Sequence, residues 1–376
     1  MATARHDGRT LRRSGRSARM PDCVLFRSST SPSESAALSP RSIPPGPATD
    51  PRTAQLLDWA SSRAGFDIHD AEPVSSDASF RRYFRITGAD QSRVVMDAPP
   101  EREATAPFVD IAGRLRRAGL NAPEVLAEDR QRGFLLLTDL GERPWHAVLD
   151  ERNADAMFGD AMAALSTMQR KVDAEGLPQY DAALLLRELS LFPDWFLARQ
   201  WGIEPTDIEL DDWEMVCMTL IRWALDQPRV FVHRDFMPRN LMVSEPNPGI
   251  LDFQDAVLGP ISYDPVCLFR DAFLSWPPDR VDAWLEDYRK RALAEGLPVP
   301  EDSQLWRRTC DLMGVQRHLK VLGIFARIRY RDNKPKYLED APRFFAYLKA
   351  AIDRNPELAL LDRLLGVWRA RAGLDA

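Results

Sequence analysis

The sequence predicts an α+β chain of two lobes, an N-terminal antiparallel-sheet lobe followed by a mainly helical C-terminal lobe. Three observations predict it. Short β-branched and aromatic runs, punctuated by Gly, Pro and Asp, occupy the stretch up to Gly141 with one helix among them. Beyond Gly141, apolar residues recur at helical spacing over most of the remaining length. Within that helical region three short apolar runs, at 230–232, 241–243 and 250–251, each adjoin a polar residue suited to proton transfer or metal binding.

Size and composition agree with a globular chain. The 376 residues, 45% of them hydrophobic, suffice for one large or two ordinary domains with a buried core. A net charge of −6 argues against a nucleic-acid partner, which would require concentrated Lys and Arg. No apolar run reaches the length of a transmembrane helix. Cys23, Cys217, Cys267 and Cys310 form no C-x-x-C pair, so neither a zinc signature nor a disulfide framework is present, and a reducing cytoplasm fits. A monomer is expected.

Residues 1–52 stand apart, an Arg-rich start followed by a Ser/Pro-rich run that cannot build a core. They read as a disordered tail or a mis-annotated start, with Met20 or a later position as the true beginning. From Thr53 a helix begins, with Leu56, Leu57, Ala60 and Ala64 on one stripe. Next, residues 74–86 lead through small residues into a strand that places Tyr83 and Arg85 on one face, Phe84 and Ile86 on the other. Such a hairpin could cover a phosphate, with Ser76, Ser79, Arg81 and Arg82 adding donors. An ordinary solvated hairpin would read the same way.

A strand at 94–96 ends at Asp97, and a helix with Pro107 in its first turn buries Phe108, Ile111 and Leu115 up to Gly119. Strands at 125–127 and 134–137 follow, and residues 138–141 join the lobes, so the domains read as 53–141 and 142–376. A cleft at such a joint is a usual ligand site. Core helices carry Met157, Phe158, Ala161, Leu165 and Met168, then Trp213, Val216, Cys217, Leu220 and Ala224. Between them the aromatic run 188–196, broken at Pro193, either lines a pocket or packs a helix junction. A later helix carries Val266, Leu268, Phe269, Phe273 and Leu274, with Arg270 and Asp271 inside it. The long run from Asp302 to Ile328 contains Arg317, His318 and Lys320, read either as recognition of a polar or anionic substrate or as a solvated helix face.

The chemistry concentrates between Val230 and Asp255. His233-Arg234-Asp235 ends the first apolar run, Asn240 lies five residues past Asp235 with Pro238 stiffening the loop, and Asp252 ends a later run. An oxygen cluster suited to magnesium results. The spacing is that of phosphoryl-transfer enzymes, in which one Asp takes the acceptor's proton while an Asn and a second Asp hold the metal.

These motifs, 233–240 with 251–255, resemble the aminoglycoside phosphotransferase and choline kinase branch of the protein-kinase-like fold. Residues 133–141, 259–264 and 316–325 extend the likeness to the bacterial anomeric N-acetylmuramate/N-acetylglucosamine kinases, over the chain from about Thr53 onward. The resemblance implies an ATP- and Mg2+-dependent kinase that phosphorylates the anomeric hydroxyl of a small amino sugar, giving the 1-phosphate in cell-wall recycling. It implies Asp235 as base, Asn240 and Asp252 as metal ligands, and His233 and Asp264 as supports of the loop. Leu137, Asp139 and Leu140 fall at the nucleotide hinge, and Arg239, Asp255 and Asp271 join Arg317, His318 and Lys320 as substrate candidates.

Two departures qualify the likeness. The third strand carries no Lys for the α/β-phosphates, leaving Arg81, Arg82 or Arg85 as the cation. Met237 stands where protein kinases have a Lys, which directs the reading toward small molecules. The alternatives are a kinase of another small alcohol, such as an aminoglycoside, choline or another sugar, and a nucleotide-binding pseudoenzyme.

Overall fold

Asp50 accepts the Arg52 N–H at 3.1 Å and so caps the start of helix α1 (Pro51–Ser61). The computed structural model describes residues 50–75 and 80–374, apart from the side chain of Ser75, all within one compact unit. The helix thus begins two residues before the periodic stripe at Thr53, because Pro51 and its cap fix the first turn. The tail expected for 1–52 otherwise lies outside the described residues.

A five-stranded antiparallel sheet follows, β1 (Asp70–Ser75), β2 (Arg82–Thr87), β3 (Ser92–Asp97), β4 (Val125–Asp129) and β5 (Phe134–Thr138), in the order β1-β2-β3-β5-β4. Helix α2 (Ala106–Arg117) connects β3 to β4. Register assigns the two faces. Phe84 pairs with Val95 and Val95 with Leu136, so these three share the face that packs under Leu56 and Trp59 of α1. Arg85, Val94 and Leu137 align on the opposite face and line a cavity. Gly133 is required where it stands, since at φ +73° an added Cβ would fall 1.8 Å from the Ala98 carbonyl oxygen.

The rest is mainly helical: α3 (Ala154–Lys171), α4 (Ala182–Leu191), α5 (Asp207–Leu225), α6 (Tyr263–Phe269), α7 (Pro278–Ala294), α8 (Ser303–Asp332), α9 (Ala341–Arg354) and α10 (Ala359–Arg371). Two short antiparallel ribbons interrupt it, β6 (Arg229–Val232) with β9 (Val257–Pro260) and β7 (Leu241–Met242) with β8 (Gly249–Ile250). No helix among the described residues is long and apolar enough to cross a membrane.

Two expectations need correcting here. Pro193 does not break the chain: α4 passes directly into a π-wound segment, Phe192–Trp201, whose first turn has no need of a proline N–H. That segment is a packed junction, with Phe192 and Phe196 stacked and buried. Helix α8 crosses close by at Gly323, where any Cβ would meet the Leu191 backbone at 2.4 Å. Likewise α6 stops at Phe269, so Arg270 and Asp271 lie beyond it, and Asp271 accepts the N–H groups of Phe273 and Leu274 at 2.6 and 2.7 Å instead.

Candidate active site

Strand β6 ends at Val232 and leads directly into His233, Arg234 and Asp235. Arg234 adopts φ 77°, a left-handed conformation that an ordinary side chain takes only when its surroundings enforce it. Asp264, at the start of α6, supplies the enforcement by accepting the backbone N–H groups of His233 at 2.7 Å and Arg234 at 3.0 Å. Burial pushes the Asp264 carboxyl up to about 7 even though both N–H donors favour its ionised form.

The Arg234 side chain leaves the cleft and enters a buried charge network. It donates to Glu188 at 2.5 Å. Lys320 reaches the same carboxylate at 2.8 Å and the Tyr263 hydroxyl at 3.1 Å, Gln316 donates to it at 3.1 Å, and the Tyr180 hydroxyl donates as well. Burial alone would raise the pKa of Glu188, but Lys320 and Arg234 prevail and hold it at about 2. This cluster, in which Glu188 is shared by Arg234, Lys320, Gln316 and Tyr180, underlies the loop that carries Asp235.

His233 braces the loop from the other side. Its Nε2 lies 3.1 Å from the Leu251 carbonyl oxygen and its Nδ1 accepts the Asp235 N–H at 3.3 Å, an arrangement that places the ring proton on Nε2. Burial drops its pKa to about 4, so the ring is neutral near pH 7 and serves as a strut between the two loops.

Asn240 follows on the single turn Pro238–Asn240. Its amide nitrogen donates to the Asp235 carbonyl at 2.9 Å and approaches Asp252 Oδ2 at 3.4 Å, which leaves Oδ1 as its acceptor. Asp252 sits at φ 62°, with Gln254 donating to its Oδ1 at 2.9 Å. The surrounding cleft walls push the Asp252 carboxyl above the usual range, the Asp235 charge pushes it further, and Arg81 pulls it back.

This donor set fits magnesium. Two carboxylates and an amide oxygen lie together there, and burial and the neighbouring Asp235 make the Asp252 charge costly without a cation beside it. Among the described residues no group of three or more His, Cys, Asp or Glu forms a closed metal cage. Magnesium characteristically takes one or two protein carboxylates and completes its shell with phosphates and water.

A cavity of about 610 Å³ opens at this site. Of the residues singled out in the sequence, Arg85, Leu137, Asp139, Leu140, Arg239, Asn240 and Asp252 line it. Arg85 is already engaged, in a two-pronged contact to Asp139 at 2.7 and 3.1 Å and a bond to the Gly141 carbonyl at 2.8 Å. Arg82 turns to the other face of the sheet, where it pairs with Asp97 and Asp50, each at 2.5 Å. Arg81 is the arginine whose charge reaches Asp252. Asp255 is exposed beside the site, its carbonyl taking a long 3.4 Å contact from Arg234. Ser76 and Ser79 lie outside the described residues.

The late-helix candidates are corrected by burial. Arg317, His318 and Lys320 are 2%, 1% and 8% exposed, so they form neither a solvated face nor a wall of this cavity. Lys320 is consumed by Glu188, Arg317 donates to the Cys267 sulfur at 3.1 Å, and the His318 ring stacks on Tyr347. Asp271, 1% exposed, is equally internal. Conversely, Tyr83, His146, Phe273, Lys336 and Tyr337 line the cavity, although nothing local in the sequence marks them for it beyond the strand face of Tyr83, and Phe273 reads there as a helix residue.

Residues 70–307 match the family described as "Phosphotransferase enzyme family". Proteins named N-acetylmuramate/N-acetylglucosamine kinase are similar over most of the chain. One from Pseudomonas aeruginosa is 58% identical, covering 78% of this chain and 87% of that protein. One from Neisseria meningitidis serogroup B is 44% identical, covering 84% and 95%. Among solved structures, a choline kinase from Cryptosporidium parvum superposes with a TM-score of 0.58 at 12% identity over 83% of this chain and 99% of the other. The ADP-bound aminoglycoside phosphotransferase APH(2'')-Ib gives 0.55 at 16% identity, over 80% and 98%. These two likenesses identify the protein-kinase-like fold. By sequence and by fold, the chain belongs to the phosphotransferase enzyme family.

Proposed function

We propose that the chain is an ATP-dependent sugar kinase that phosphorylates the anomeric hydroxyl of N-acetylmuramate and N-acetylglucosamine, giving the 1-phosphates in cell-wall recycling. The observation that supports this reading is that Asn240 and Asp252 line one cavity with Asp235 beside them, bonded through its carbonyl to Asn240, in a chain 58% identical to a protein named for those two sugars. A cytoplasmic, monomeric enzyme is part of the same reading.

The roles are those the family resemblance implies, and the contacts around the loop support them. Asp235 would accept the proton of the attacking hydroxyl, a positioned-base contribution of roughly 10²- to 10⁴-fold. An anomeric hydroxyl is more acidic than an ordinary alcohol, which lightens that demand. Asn240 Oδ1 and the Asp252 carboxylate would hold magnesium, which when bound neutralises charge on the β- and γ-phosphates. Leu137, Asp139 and Leu140 would border the adenine, and Arg81 would supply the phosphate contact that β3 lacks. Asp264, His233 and the Glu188 network keep Asp235 in place before substrate arrives, so that little reorganisation remains at the moment of transfer.

An ADP-release assay across N-acetylmuramate, N-acetylglucosamine, choline and kanamycin tests the reading. Turnover with the two amino sugars and not with the other two is expected. Turnover with choline or kanamycin alone would reassign the acceptor, and ATP binding without any acceptor-dependent release would make the chain a pseudoenzyme.

A further inference from the structure

The two sugars of the proposed reaction differ at one place. N-acetylmuramate carries a lactyl ether with a carboxylate, ionised at neutral pH, where N-acetylglucosamine has a hydroxyl. Accepting both places a physical demand on the recognising cation. It must neutralise the carboxylate when present and remain solvated when absent, because a buried cation without its partner is heavily penalised.

The described cations around the cleft sort themselves by this demand. Arg85 is saturated by Asp139 and the Gly141 carbonyl, and Lys320 is buried against Glu188. Arg317 is buried and does not line the cavity, and Arg239 lies over the Phe273 ring at 4.8 Å. Lys336 differs from all of these. It lines the cavity, is exposed, and makes no hydrogen bond or ion pair among the described residues.

Its mounting suits such a role. Lys336 stands on the short 3-10 segment Pro335–Asp340 that follows α8, on the cavity shared with Asn240 and Asp252. The neighbouring Tyr337 packs against Phe325 and Phe273, with ring centroids 5.4 and 6.4 Å apart, so the backbone is anchored while the lysine stem stays free. Asp340, the nearest acidic residue lining the cavity on that segment, is occupied by Arg343 at 3.0 Å. We propose that Lys336 is the specificity-determining residue that pairs with the carboxylate of the lactyl substituent. This rests on the reading of the reaction given above.

The test compares kcat/KM for N-acetylmuramate with kcat/KM for N-acetylglucosamine in the full chain and in Lys336→Gln, Lys336→Arg and Lys336→Glu. An exposed ion pair predicts that the ratio falls roughly fivefold in Lys336→Gln, through KM, and further in Lys336→Glu. Lys336→Arg retains the wild-type ratio, and raising salt increases the N-acetylmuramate KM of wild type but not of Lys336→Gln. An unchanged ratio overturns the assignment. So does an equal rise in the KM for ATP with both sugars, which would place Lys336 on the polyphosphate. If the wild-type chain phosphorylates neither sugar, the assignment falls together with the reading of the reaction; if it phosphorylates both and the ratio holds, the assignment alone falls.

Discussion

Arg234 turns its guanidinium away from the cleft to meet Glu188 at 2.5 Å, so the residue before Asp235 is fixed from inside the core, 46 positions away in the chain. Lys320 shares the same carboxylate, which makes Glu188 the common anion of two buried cations.

Removing that anion is expected to cost more than any change at the cavity surface. Glu188→Ala leaves Arg234 and Lys320 buried and uncompensated and should destabilise the fold by about 3–5 kcal/mol. The linkage has a definite sign. The folded carboxyl titrates at about 2 against an ordinary 4.5, so its contribution is fully present above pH 4.5 and is lost as pH falls toward 2. Acid unfolding of wild type followed by circular dichroism should show that loss, and Glu188→Gln should flatten it. Equal acid slopes in the two proteins would refute the ionised assignment.

Asp235→Asn and Asp252→Asn are expected to abolish turnover while leaving thermal unfolding close to wild type. Asp252 is exposed to the cleft and Asp235 half-buried, and the Asp252→Asn amide keeps an oxygen to accept from Gln254. Single-turnover phosphoryl transfer and a melting curve on the same preparations decide it. Near-normal rates in either variant would remove that residue from the mechanism.

Neighbouring arginines should separate by phenotype. Arg81→Ala is expected to raise the KM for ATP by roughly tenfold with little change in stability, as loss of one charge-assisted phosphate contact implies. Arg82→Ala is expected to do the reverse, since Arg82 serves Asp97, a fully buried carboxylate that among the described residues would keep Arg52 at 2.7 Å as its remaining ion pair. Urea unfolding and ATP titrations of both variants give the comparison. A rise in ATP KM confined to Arg82→Ala would exchange the two roles.

The sequence by itself determined the run of strands and helices and the nearness of the candidate residues to one another, and the reason is local. Tyr83 and Arg85 on one face of β2 with Phe84 and Ile86 on the other follow from the two-residue period of a strand, which needs no knowledge of the partner. Asp235, Asn240 and Asp252 lie within one short stretch whose strands and tight turn bring them together with few degrees of freedom. Other decisions belonged to the tertiary structure alone. Spacing within α8 could not reveal that Arg317, His318 and Lys320 are enclosed, because their enclosure depends on Glu188, Cys267 and Tyr347, contributed by other elements. Glu188 was hidden for the same reason, its partners lying 46 and 128 residues away. Helical periodicity reports which face is apolar; it cannot report that a charged face has been neutralised from across the core. Lys336 shows the converse, since its exposure was unremarkable in sequence and only the fold brings it to the cavity that holds Asn240 and Asp252.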